Sequence, residues 1–174
     1  MNISAEPEAS PEAGLADLVA KLAAVLKQSH YPAGDLAALR RWAPSRPSPL
    51  AFYRLWLRHL GDELPADHHL PAWTALAWGL ALAGPASHRK GRSLGQALWE
   101  AGFSEARLER LLAAPEDVRL DLFLSMVRFL AAKGESFDWT DAAALLLAAN
   151  PEKRERIHRH IAKSFYRCQF RKKA

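Results

Sequence analysis

No stretch of this chain alternates apolar and polar residues with the β-branched side chains that a strand needs, whereas helix starts and stops recur along it. Leucine and alanine fill most apolar positions, at spacings of three and four. Leu15, Leu18, Leu22, Val25 and Leu26 make one stripe, closed by the break Tyr31-Pro32-Ala33-Gly34. Asp35 opens a short helix to Arg41, and Ser48, as N-cap, with Pro49 opens a third to about Leu60. A fourth begins near Pro71 and carries Trp73, Leu76, Ala77, Leu80 and Ala83; apolar almost all round, it is expected to lie buried. Beyond a basic loop at 84–92, Ser93 and Ser104 cap two short helices. Pro115-Glu116-Asp117 starts a longer one, with Leu120, Phe123, Leu124, Val127 and Leu130 inward and Gly134 at its end. Asp138 restarts helix through Ala149, and Asn150-Pro151 opens the last, to about Tyr166.

The expectation is an all-α fold, a compact bundle of about nine helices over residues 14–167. The loop at 84–92 is the place where two small lobes could divide. Residues 1–13 read as a disordered lead-in with too little to bury, and 168–174 as a basic tail. At 174 residues, 49% hydrophobic and 25% charged, such a domain can bury a core without a disulfide or a metal. The single cysteine, Cys168, cannot form an internal disulfide, which fits a reducing compartment. No basic region followed by an apolar run marks a secretory signal, and the most apolar stretch, 73–84, is too short to cross a bilayer. A soluble, cytoplasmic protein is expected.

The net charge of +5 is modest, but its placement is one-sided. Residues 151–174 hold nine basic residues against Glu152 and Glu155, a net of +7, leaving −2 for the rest. Such asymmetry points to a polyanionic partner. On the last helix Ile157, Ile161 and Phe165 recur every four residues and form an inward stripe. Lys153, Arg156, Arg159 or His160, Lys163 and Arg167 form another, at spacings of three, four and seven. Cations one helical turn apart, about 5.4 Å, are comparable with the phosphate spacing of a nucleic-acid strand, so the stripe could track a backbone. The plainer alternative is a solvated basic face. Arg40, Arg41, Arg54 and the basic loop add further cations of the same sign.

Catalysis finds little support. His59, His68, His69, His158 and His160 lie at spacings of one, two or nine within their groups, not those of a zinc site. Asp138 and Asp141 read as capping and helix-dipole residues, not as half of a two-metal nuclease. No Gly-rich phosphate loop or serine nucleophile elbow is present, and Cys168 has no partner base. No cofactor is expected. Among the tryptophans, Trp73, Trp78 and Trp99 are expected in the core, and Trp139 packed inward beside Phe137. Trp42, beside Arg40 and Arg41, could stack on a base or plug a gap between helices.

Five segments carry a family resemblance: 34–41 (GDLAALRR), 51–55 (AFYRL), 93–98 (SLGQAL), 137–139 (FDW) and 153–156 (KRER). In this order and spacing, over residues 16–166, the chain resembles the small subunit of the type I-E CRISPR surveillance complex, the CasB family of Cascade. The resemblance implies an all-α subunit without known catalysis, present as a pair of copies. Its implied partners are the repeating subunit that coats the CRISPR RNA and the large PAM-reading subunit. It also implies a basic surface that holds the target DNA opened by the guide, especially the displaced strand, while base pairing reads the sequence. By position it assigns such contacts to Arg40, Arg41, Arg54, Arg128, Lys153, Arg154 and Arg156; the stripe adds Arg159, Lys163 and Arg167. The loop before SLG is shorter than in some relatives, so Arg89 and Lys90 receive no role, and neither does the tail after Tyr166. The alternative class is a free-standing helical DNA-binding protein, but nearly pure Arg and Lys on the last helix position a strand without specifying sequence.

Overall fold

The computed structural model describes residues 11–174, with side chains from Gly14 onward. Among these residues it is all-α: α1 (Pro11–Lys27), α2 (Ala33–Arg40), α3 (Leu50–His59), α4 (Leu70–Ala83), α5 (Leu94–Glu100), α6 (Glu105–Leu112), α7 (Glu116–Ala132), α8 (Trp139–Leu147) and α9 (Pro151–Lys173). One 3-10 turn, Asp67–His69, precedes α4. The lead-in expected at 1–13 lies outside the described residues up to residue 10, while residues 11–13 already belong to α1.

The pivot is α4. From Trp73 to Ala81 every residue is buried, because helices stand on all its sides: α1, α2, α7 and α8. Two glycines set how close the neighbours come. A Cβ at Gly79 would lie 2.6 Å from the Trp139 ring of α8. A Cβ at Gly95 of α5 would lie 2.8 Å from Phe165 N, and closer still to Ser164 Oγ and the Ile161 carbonyl of α9. The FDW and SLG segments are thus packing devices: Trp139 fills the notch at Gly79, and Gly95 lets α9 lie down on α5.

Caps follow the sequence closely. Ser93, Ser104, Asp138 and Asn150 each accept a backbone N–H of the helix they precede. Ser48 departs from the expectation. The helix begins at Leu50 with Pro49 as its cap, and Ser48 Oγ instead lies 2.6 Å from Thr74 Oγ1 of α4. Asp141 also reaches beyond its own helix, accepting the Leu94 N–H at the start of α5 (2.9 Å).

The loop at 84–92 is pinned along residues 136–138. Phe137 N donates to Ser87 O (3.0 Å), Arg89 N to Phe137 O (2.9 Å) and Asp138 N to Arg92 O (2.7 Å). His88 Nδ1 accepts the Trp139 N–H at 3.2 Å. The buried apolar residues form one cluster from Val19 to Phe165 that runs across this loop. Trp42, Trp73, Trp78 and Trp139 are buried; Trp99 is half-buried, edge-on to Phe165. Phe137 and Trp139 stack at 4.7 Å. Trp42 plugs a gap, its indole N–H donating to Arg46 O (3.2 Å).

Candidate nucleic-acid interface

Helix α9 starts where Asn150 Oδ1 accepts Lys153 N (2.9 Å) and Pro151 takes the first helical position, where its missing N–H costs nothing. Ile157, Ile161 and Phe165 are its buried residues and lie against α5 and α8. The helix does not stop near Tyr166 but runs on to Lys173, so the expected basic tail at 168–174 is helical nearly to its end. Arg171, Lys172 and Lys173 in the last turn face the negative end of the helix dipole. Tyr166 stacks on Phe170 and donates its hydroxyl to Glu105 of α6, which anchors the extension.

With that apolar face fixed, the other side points away from the core. Lys153, Arg156, Arg159, Lys163 and Arg167 are all exposed. Arg159 pairs with Glu155 one turn before it, and His160 Nε2 lies 3.2 Å from Asp141 Oδ1. Burial raises the Asp141 carboxyl, against the Leu94 N–H and His160, which lower it. Lys153, Lys163 and Arg167 form no ion pair among the described residues.

Arg154 does not belong to this stripe. Three residues before Ile157, it lies on the inward side and is half-buried. There it lies within electrostatic reach of Arg119 of α7, which is only 6% exposed and donates Nη2 to the Ala114 carbonyl (3.1 Å), and of His158, one turn further along α9. Burial and the charge of Arg154 lower the Arg119 guanidinium, with Glu116 opposing. Burial, Arg119 and Arg154 together hold the His158 imidazole below its usual range, with Glu155 opposing. Sequence reasoning gave Arg119 no role and weighed His158 only as a metal ligand. The legible signal was Arg119 itself, a charge four residues before Phe123 on the inner face of α7.

The remaining cations assigned by resemblance lie elsewhere, and three of them tie helices together. Arg40 Nε donates to Ala81 O at the end of α4 (2.8 Å). Arg54 Nη2 pairs with Asp35 Oδ1 at 2.7 Å, joining α3 to α2. The Arg128 guanidinium sits 5.1 Å from the Trp78 ring, joining α7 to α4. All three remain exposed at the surface, as does Arg41. In the basic loop Arg92 is consumed by Glu100, Glu135 (2.8 Å) and the Ser136 carbonyl. Arg89 and Lys90 stay exposed on a shallow hollow of about 560 Å³. Among the described residues no group of three or more His, Cys, Asp or Glu is placed to hold a metal, and no helix is long and apolar enough to cross a membrane.

These features define a class: a closed all-α bundle with a long basic helix laid over one side. The chain belongs to the CRISPR-associated Cse2 family, whose model matches residues 35–166. That is the family the sequence segments resemble. No curated protein matches the chain. Among solved structures it is similar to CasB from Thermus thermophilus, at 24% identity and TM-score 0.64 over 90% of this chain and 98% of that one. CasB from M. ruber shares 21% identity at TM-score 0.63, over 95% and 98%. A chain of E. coli Cascade bound to a PAM-containing double-stranded DNA target shares 24% at TM-score 0.59, over 84% and 95%. At these identities the likeness is one of fold.

Proposed function

We propose that this chain is the non-catalytic small subunit of a type I-E Cascade complex and that it holds nucleic-acid backbone with the exposed face of α9. The observation that carries this reading is the division of α9 into a buried apolar face and an exposed side on which eight cations face only two acids, Glu152 and Glu155. At about 35 Å for its 23 residues, the helix can follow several successive phosphates. Its Lys and Arg neutralise phosphate without reading bases, the division of labour of an RNA-guided complex in which pairing reads sequence. Lys153, Arg156, Arg159, Lys163 and Arg167 are the primary contacts. Arg40, Arg41, Arg54 and Arg128 are secondary, because they lie off α9 and all but Arg41 tie one helix to another. The proposed partners are CRISPR RNA, the target DNA with its displaced strand, the repeating RNA-coating subunit, the large PAM-reading subunit and a second copy of this chain. The proposed site of action is the cytoplasm.

The test is gentle co-purification of the tagged protein from its native cell. Recovery of uniform short RNA carrying CRISPR repeat sequence, with several other subunits, is the expected outcome. Recovery of the protein alone, or with mixed genomic DNA, would reject the Cascade assignment in favour of a free-standing helical DNA-binding protein. For the α9 face, replacing Lys153, Lys163 and Arg167 together by alanine should flatten the dependence of log affinity on log salt by about two to three units, at 0.7–0.9 per phosphate contact. An unchanged slope would mean that this face meets protein or solvent.

A further inference from the structure

Three basic groups outside the exposed stripe lie within electrostatic reach of one another near the starts of α7 and α9. Arg119 lies in the first turn of α7 and Arg154 in the first turn of α9, with His158 one turn on. Arg119 Nε, Arg154 Nε and His158 Nε2 are buried and have no hydrogen-bond partner. Among the described residues neither guanidinium is ion-paired, although Glu116 and Glu155 stand nearby. Two guanidinium groups within electrostatic reach of each other, each with an orphaned N–H donor, form a costly arrangement, because each buried unpaired donor forfeits its hydration and the like charges repel. An oxyanion seated among them would accept those N–H groups and cancel the repulsion. The positive ends of two helix dipoles favour the same occupant.

We infer that Arg119, Arg154 and His158 form a recessed anion subsite that takes one phosphodiester of the strand held by α9. This rests on the proposed backbone-holding function. A phosphodiester is favoured because Arg154 and His158 keep part of their side chains in solvent, so the cluster lies just beneath the surface beside Lys153, the first cation of the exposed stripe. A strand lying along α9 would reach this cluster at the start of the helix. The stripe then supplies screened surface contacts, and the recess one contact of fixed geometry.

The experiment uses the full chain and two probes. Its thermal midpoint is measured in increasing inorganic phosphate against chloride of matched ionic strength, and salt slopes are measured with a single-stranded oligonucleotide. Wild type should show a phosphate-specific rise in midpoint, as expected of a ligand that binds only the folded state. Arg119→Met should abolish that rise. Arg154→Met and His158→Gln, at half-exposed positions, should abolish or reduce it without risk to folding. Arg154→Met should also lower the oligonucleotide salt slope by about 0.7–0.9. Lys163→Ala should lower the slope by a similar amount and leave the phosphate-specific rise intact. No such rise in wild type, or the same rise in the variants, overturns the subsite. A rise lost in the variants with an unchanged oligonucleotide slope overturns the phosphodiester assignment and leaves free phosphate or a partner's carboxylate as the occupant. If Lys163→Ala also leaves the slope unchanged, the backbone-holding reading of α9 fails with it.

Discussion

Helices α4 and α9 solve opposite problems with the same geometry. In α4 there is no charged residue, and helices cover all its sides. In α9 only Ile157, Ile161 and Phe165 are buried, and nine cations occupy much of what remains. The first helix is held by everything around it and can contribute to function only through stability. The second is held along one face and commits the rest to solvent or a partner. Changes in α4 should therefore move stability, and changes on the outer face of α9 should move binding.

The largest effect should come from α4. Trp78 is 1% exposed and lies under the Arg128 guanidinium. Trp78→Ala should cost about 3–5 kcal/mol in chemical denaturation. A loss near zero would break the comparison at its firmer end. Next comes the seam beneath α9. Gly95→Ala pushes a methyl group against the Ile161 carbonyl, which cannot rotate away as the Ser164 hydroxyl can. It should cost about 1–3 kcal/mol, and hydrogen exchange should show the loss concentrated in α9. A loss spread evenly over the bundle would mean that α9 does not open as a unit.

The same contrast explains what was legible in the sequence. Periodicity and caps gave the helix order because each is local: Ser93, Ser104 and Asn150 act within their own first turns. The end of α9 was misread because the contact that extends it, Tyr166 with Glu105, spans 61 positions. Distance in sequence also hid the roles of the motif arginines. Arg40, Arg54 and Arg128 look like a patch in composition, yet in three dimensions each ties one helix to another. Arg154 sits between Lys153 and Arg156 of the exposed stripe but turns inward, a separation that one residue of helical rotation produces.

A smaller effect should appear with acid. His88 is lowered by burial, with Asp138 opposing, and its Nδ1 must stay unprotonated to accept the Trp139 N–H. His158 is lowered by burial and by Arg119 and Arg154. A histidine held below its unfolded pKa of about 6.5 binds fewer protons folded than unfolded. Stability is then fully present above about pH 6.5 and is lost as pH falls through the folded values. Asp141, raised by burial, works in the opposite sense further toward acid. Unfolding midpoints should thus fall from about pH 7 to 5, and His88→Asn should flatten the decline. A flat profile in wild type would show that both rings charge in place.

The smallest effect decides on which side of the comparison Arg54 belongs. Its side chain is 58% exposed and spans α3 and α2 to reach Asp35, so as a stabilising pair it is heavily screened. As a secondary phosphate contact it is restrained by that same carboxylate. Asp35→Ala separates the two roles, because it leaves the arginine in place and removes only its partner. A secondary contact is strengthened by the change, and the oligonucleotide salt slope should steepen by up to about 0.7–0.9, with little change in thermal midpoint. If Asp35→Ala and Arg54→Ala instead lower the midpoint equally, the double variant adds nothing further, and the slope stays fixed, Arg54 is a helix tie alone. It would then join Trp78 among the residues that serve the fold, leaving α9 as the surface that meets the strand.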